Sequence, residues 1–581
     1  MYDKDGKPLE APEHPGSHGD NGIMCVNYKS APLRERGDLP ERWFFDRQKE
    51  EDQQLTFDTY PGEEMVLRVI QGSHEEQHSF QANGLNWRRF RKDAASPQRS
   101  QQTMGISEAF SFRIDQPYRA GDYLWRFSGQ EDTWLGCWGR IRAHDQAFNG
   151  LWPIAQASAQ PLAPPASSQC RRYRVCAVQE TICYRDPPAA LVDAQGLRFV
   201  VTAMAPPGGQ EVNITPTVVE PMILRCLQGE WVEIELENVL PAGITAEAFH
   251  PRLPVEDDRN QPPISRHVSL EADLLTQCVR QADGSAARPA AVVTVPPAGK
   301  LTFLFHANVE PGAVLLQDMA DIRNHRHHGL FGALIIEPVG TRPLAVADGQ
   351  PTARAGSPEA WTGARATIVA APNKRVEECV LLLHDGIRYV NPVPIIDKGT
   401  GQPILNPPDM PGDPGETGPD TEDQGQKAFN YRSSRLDVAF AEVKSCKNEA
   451  GEEEHPNQHD RLATDWFPAD PPTPVFHVAS GAEVEVKLVC AADKPRNHSF
   501  HLHGHAWKEY AYRGNASVVH STVDGLATGA ARTLAFTANR QAGDYLYRSG
   551  VVKWSLAQGL WGILRVHPGA ARTVRTVRGV K

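Results

Sequence analysis

"HSFHLHGHAW", residues 498–507, places four imidazoles within eight positions: His498, His501, His503 and His505. Residues 78–87 read "HSFQANGLNW", with the same H-S-F, glycine and tryptophan but with Gln81, Asn83 and Leu85 in place of the later imidazoles. The context of the two stretches is shared. "NYKSAPL" (27–33) precedes the first and "NYRSSRL" (430–436) the second; an A-G-D-Y-L block follows each, at 120–124 and 542–546, then "CWGRIR" (137–142) or "LWGILR" (560–565). Four landmarks in one order mark an internal repeat. A looser middle copy lies between. "EPMILRCLQGEWVEIELEN" (220–238) is similar to "TPVFHVASGAEVEVKLV" (473–489), and "PGAVLLQDMADIRNHRHHGLFGALIIEP" (311–338) is similar to the A-G-D-Y-L block and its sequel.

The local pattern is β. "EWVEIELEN" and "GAEVEVKLV" alternate apolar and polar residues with period two, as half-buried strands do. Pro and Gly, 47 of each, punctuate short runs at turn-like intervals. Three β-sandwiches are expected, over 1–145, 165–340 and 360–570. The last copy carries "VEECVLLLHDGIRYVN" (376–391) and then a Pro/Gly/Asp-rich insertion before its N-Y-R-S; the first copy begins in the loop-like stretch and has no such strand. The first sandwich is therefore expected to be incomplete at its N-terminus, with an N-terminal segment or a partner chain completing it.

Bulk properties narrow the function. With 581 residues, 40% hydrophobic and 23% charged, the chain supports several cores. A formal charge of −11 argues against a nucleic-acid face. No apolar run approaches the roughly 20 residues that span a bilayer, and the first residues lack a secretory pattern. Ten cysteines are too few for a disulfide framework; Cys170, Cys176 and Cys183 are close enough in sequence for one bridge, but buried free thiols are the favoured reading.

Alternation along a strand puts His501 and His503 on one face, where two imidazoles can meet neighbouring metals. Imidazole suits copper and zinc, and Cu(II) binds such donors most tightly among the divalent first-row ions. The alternative is a set of hydrogen-bonded histidines in a loop-rich rim. His325, His327 and His328 form a second cluster, read either as ligands or as structural groups beside a turn glycine. His384-Asp385 reads as a structural turn rather than a catalytic pair, and "GEEEH" (451–455) as a solvated loop. No G-x-S-x-G, phosphate loop, dinucleotide fingerprint or CxxC pair occurs.

With these residues in place, the chain resembles the bacterial multicopper oxidases, and within them the large multidomain, manganese-oxidase-like branch. "HSFHLHGHAW", "NHRHHGLFGALIIEP" and the paired N-Y-[RK]-S and A-G-D-Y-L blocks carry the resemblance over most of residues 20–568. It implies tandem cupredoxin-like Greek-key sandwiches, copper as cofactor and an exported or cell-surface location. It also implies that His498 faces a mononuclear copper while His501 and His503 face a trinuclear cluster. The departures are as specific. The family's H-C-H window reads "YRSGVVKWSLAQGLWG" (547–562), without cysteine or histidine, and in the first copy "WRFSGQEDTWLGCWG" (125–139). In the middle copy the H-x-H places carry Gln317-Asp318-Met319, and Glu271 with Asp273. One ligand motif of four is intact. The expected function is the C-terminal part of an oxidoreductase that couples oxidation of a metal ion or a phenol to O₂ reduction, completed by a further cupredoxin segment. The alternatives are a non-catalytic cupredoxin-repeat protein for copper binding or assembly, and a structural array with leftover histidines.

Overall fold

In a computed structural model, the chain consists of β-strands joined by turns and a few single-turn 3₁₀ segments. The structure describes residues 24–568 except 37–38, 45–54, 73–76, 91, 94–95, 129–131, 134, 153–162, 186–190, 217, 243, 245–263, 282, 288–290, 323, 348–349, 356–357, 371–373, 388–394, 397–402, 405–425, 435–445, 448–452, 455–469, 493–496, 509, 513–517, 551–554 and 557. Most of the insertion after 391 and of the acidic run at 451–455 lies outside the described residues. Among the described residues no helix is long and apolar enough to cross a membrane.

Three sandwiches follow one plan. In each, an opening strand pairs in parallel with the closing strand: Leu55–Thr59 with Trp138–Ala143, Met222–Leu227 with Phe331–Glu337, and Val475–Ala479 with Trp561–His567. The closing strand then pairs antiparallel with its predecessor, Gly121–Ser128, Gly312–Gln317 or Gly543–Ser549. That predecessor pairs with the motif strand: His78–Ala82, Glu271–Ala272 or His498–Leu502. The second sheet contains a parallel pair in two of the three sandwiches, Arg171–Gln179 with Trp231–Asn238 and Lys374–Ile387 with Glu483–Ala492. In the first, the described part is the pair Met65–Ile70 and Ala109–Ile114.

The repeat extends to single atoms. In N-Y-K-S and N-Y-R-S the first two residues take left-handed backbone angles, φ 52° and 60° at Asn27 and Tyr28, and 51° and 58° at Asn430 and Tyr431. Asn is the non-glycine residue best suited to that region; a tyrosine there is uncommon and marks a turn held by its surroundings. The serine that follows caps the turn. Ser30 Oγ donates to the Met24 carbonyl at 2.6 Å, and Ser433 Oγ to the Lys427 carbonyl at 2.7 Å. Trp138 and Trp561 donate from their indole N–H groups to the carbonyls of Ala31 and Ser434.

The sandwiches are not beads on a string. Phe331–Glu337 is buried at every position, because alternate residues serve two cores. Leu334 and Ile336 face the core of the second sandwich, while Phe331, Ala333 and Ile335 face the third. Lys374–Ile387 does the same from the other side: Cys379, Leu381 and Leu383 fill the third sandwich's core, and Val380 and Leu382 pack against the second. A buried ion network crosses this joint. The Arg225 guanidinium contacts Glu378 at 2.9 Å and Glu337 at 3.6 Å, and the Lys487 ammonium lies 3.7 Å from Glu378. Burial, then the neighbouring Glu378, push the Glu337 carboxyl well above its ordinary range. A smaller apolar joint, with Leu33, Trp43, Leu124 and Trp138 against Val292, Met319 and Ile322, fastens the first sandwich to the second. Every cysteine of known placement is a free thiol; Cys170 is buried, while Cys183 is exposed rather than buried.

Candidate metal centre

The motif strands hold equivalent residues in equivalent registers. Gln81 lies opposite Arg126, Glu271 opposite Gln317, and His501 opposite Arg548. Glu271 thus occupies in the middle sandwich the place that His501 occupies in the last.

The four histidines of 498–505 divide into two pairs. His498 is buried with both ring nitrogens engaged: Nε2 is 2.9 Å from the Asp385 carboxylate, and Nδ1 is 3.4 Å from Ser549 Oγ. The other Asp385 oxygen accepts from the Lys427 ammonium. Burial opposes ionisation of Asp385, but the Lys427 and His498 partners outweigh it and hold the carboxyl well below its usual range. Ser549 lies in the window in which the resemblance expects a thiolate, and a hydroxyl cannot replace the thiolate of a mononuclear blue copper site. His505 is also committed. Asn539 donates its backbone N–H to Nε2 at 3.1 Å, which places the ring proton on Nδ1, donating to the His503 carbonyl at 2.9 Å.

His501 and His503 remain toward solvent. Burial, then the Arg548 guanidinium, lower the His501 pKa, so the ring is a neutral donor at neutral pH. The space beside it is kept by Gly550, where an added Cβ would come within 2.9 Å of His501 Nε2 and 1.9 Å of Ser499 Oγ. His503 Nε2 accepts from Arg548 Nε at 3.1 Å. Both rings are donors of a kind that could hold copper: His501 is available as it stands, and the His503 nitrogen is engaged by Arg548.

In the second cluster, His325 does not fit a metal. His325 is fully buried between Asp318 at 2.9 Å on Nδ1 and the Ser265 carbonyl at 2.8 Å on Nε2. Burial alone would lower its pKa, but the Asp318 charge and hydrogen bond, with Asp321, push it up to about 9. It is a buried imidazolium, and a doubly protonated ring cannot coordinate. His328 Nδ1 is 2.7 Å from Asp193, and His327 is buried in the same turn. His384 and Asp385 lie on a buried strand, not in a turn. Burial pulls His384 down to about 3, so the ring stays neutral.

Residues at the strand positions equivalent to the His501 motif in the first two sandwiches meet in one buried cluster. The Gln317 amide oxygen accepts from Arg126 at 3.4 Å and Arg326 at 3.3 Å, and its nitrogen donates to Asp273. A Cβ on Gly529 would strike both Gln81 and Asp273, so the third sandwich closes the cluster. Burial raises Asp273 to about 6 against the pull of Arg126 and of the Gln81 and Gln317 amides. Two guanidiniums stand here among amides and a carboxylate, and copper does not fit. Among the described residues, no three His, Cys, Asp or Glu side chains converge to hold a metal ion.

Sequence reading missed Lys427 and Arg548, and took Asp385 for part of a structural turn. The signal was the register: Arg548 aligns with Arg126 and Gln317, while Asp385 and Lys427 reach His498 only through strand pairing.

No curated protein matches the chain. A crystal structure of a multicopper oxidase is 14% identical, with TM-score 0.36, covering 68% of this chain and 88% of its own. A blue copper oxidase from Nitrosomonas europaea is 13% identical, with TM-score 0.34, covering 68% and 85%. Residues 447–570, the part of the third sandwich that carries "HSFHLHGHAW", match the multicopper oxidase family model.

Proposed function

We propose that the third sandwich carries a copper half-site of the multicopper-oxidase type, held by His501 and His503. The observation that carries this reading is the division within the motif: His498 and His505 are buried with both ring nitrogens engaged, whereas His501 and His503 lie toward solvent, His501 beside Gly550 and His503 accepting from Arg548. Bound copper would supply a redox-active centre. The chain's own residues supply a neutral donor at His501, and Arg548 holds the His503 ring in place until it is displaced.

The site is completed by imidazoles from a further cupredoxin-like sandwich, as part of an oxidoreductase that passes electrons from a metal ion or phenol to O₂. Tyr28 supports such a partner. It is fully exposed, whereas its repeat counterpart Tyr431 is buried between two sandwiches with its hydroxyl donating to the Gly329 carbonyl. A second reading, copper binding without catalysis, is favoured by the absence of cysteine from 547–562, where His498 meets Ser549, and by the His498–Asp385 bond. The isolated chain is accordingly expected to show no oxidase turnover.

Calorimetric Cu(II) titration tests the site. His501→Ala/His503→Ala should lose one equivalent of copper, and His78→Ala should lose none. Arg548→Ala removes a charged competitor worth about 1.5 kcal/mol and should tighten binding about tenfold. Equal stoichiometry in all variants would refute the assignment.

A further inference from the structure

A second pair of histidines lies outside the motif. His477, on the opening strand of the third sandwich, and His567, at the end of the closing strand, are on adjacent parallel strands. His477 is paired with Arg565, and Arg565 and His567, two apart on one strand, face the same side. The His477 Nδ1 and His567 Nε2 atoms are 2.8 Å apart, and the ring planes differ by 14° with centroids 5.1 Å apart. That centroid separation exceeds the N–N distance by about two ring radii, so the rings lie edge to edge, nearly coplanar, with one nitrogen of each aimed at the other. The remaining nitrogen of His477, Nε2, is 3.0 Å from the Asp470 carboxylate. Asp470 also accepts from Arg565, whose Nε donates to a second carboxylate, Asp544, at 2.7 Å.

We propose that His477 Nδ1 and His567 Nε2 form a surface site for a divalent transition-metal ion of the Zn(II), Ni(II) or Cu(II) class. A carboxylate on the far nitrogen of a ligating imidazole is the arrangement that sets the ring's tautomer and raises its basicity toward a metal. Asp470 does this for His477: it accepts the Nε2 proton and leaves a lone pair on Nδ1. In the metal-free protein His567 Nε2 donates its proton to that lone pair. On binding, the His567 proton moves to Nδ1, which solvent reaches, so both rings coordinate as neutral donors with no net proton loss. Bonds of about 2.0 Å to each nitrogen need only a small swing of the exposed His567 ring. Asp470 and Asp544 offset Arg565, while the nearby Arg365 is engaged with the His477 carbonyl at 2.9 Å. A cleft of about 450 Å³, lined by His477, Asp470, Arg365, Arg432 and Thr473, admits water to the remaining coordination positions.

This site is separate from the His501–His503 pair. Two strands lie between the strands that carry His477 and His501, a distance of about 14 Å at sheet spacing. The test uses tag-free full-length chain in the His501→Ala/His503→Ala background, so that it stands apart from the copper half-site. Calorimetry with Zn(II) and with Ni(II) should show one equivalent bound. Adding His477→Ala/His567→Ala should abolish it, and adding Asp470→Asn should weaken it about tenfold with stoichiometry kept. All these residues are at the surface, and an unchanged melting temperature confirms the fold. Zn(II) and Ni(II) binding that is undiminished in the His477→Ala/His567→Ala chain, or no binding in the background chain, would overturn the proposal.

Discussion

Raising the pH should weaken the second sandwich through one residue, His325. In an unfolded chain its imidazole titrates near 6.5. In the fold, burial opposes the charge but Asp318 at 2.9 Å outweighs it, and the pKa rises to about 9. A group whose folded value lies above its unfolded value stabilises the fold fully below pH 6.5, and that stability is lost as pH climbs through 9. The gap corresponds to about 3 kcal/mol. For a cooperative unit of this size that is a fall of about 6–12 °C in melting temperature between pH 6.5 and 9.5. Glu271, pushed up to about 8 by burial, acts in the same direction, because ionising it inside the sandwich is costly. The two contributions are separated by His325→Gln. Differential scanning calorimetry on both proteins across this range should show a deficit of about 3 kcal/mol in the variant at pH 6, shrinking to less than about 1 kcal/mol at pH 9.5. A deficit that is the same at both ends would show that His325 is not a buried imidazolium.

Other expectations follow from the joints. Arg225→Met leaves Glu337 and Glu378 facing each other in the buried interface with only Lys487 nearby, and should cost about 3–5 kcal/mol in urea unfolding. Asn430→Ala removes a side chain that accepts from the Leu382 N–H at 2.8 Å and donates to the Val380 carbonyl at 2.7 Å, for a loss of about 3 kcal/mol. The equivalent Asn27, on the same turn but exposed, should lose less than about 1 kcal/mol on the same change by the same measurement.

Much of this protein was legible before any coordinates. Period-two alternation and the repeated landmarks determine an all-β chain of sandwiches, because a strand pattern depends only on which of its two faces is wet. The replacement of imidazoles by Gln81, Asn83, Glu271, Asp273 and Gln317 was equally readable, since ligand chemistry resides in the side chain itself. What neighbouring chain makes of identical local sequence was decided in three dimensions. Tyr28 and Tyr431 share a turn, a backbone conformation and a capping serine, yet one is in solvent and the other is sealed between sandwiches. His498 and His501 stand three residues apart in one motif, yet one is tied to Asp385, more than a hundred positions upstream, and the other is open beside Gly550. Partners so distant in sequence leave no periodic trace, because they are brought together by strand pairing and by the packing of one sheet on the next, and it is those partners that settle whether an imidazole is a ligand, a hydrogen-bonded strut or a buried cation.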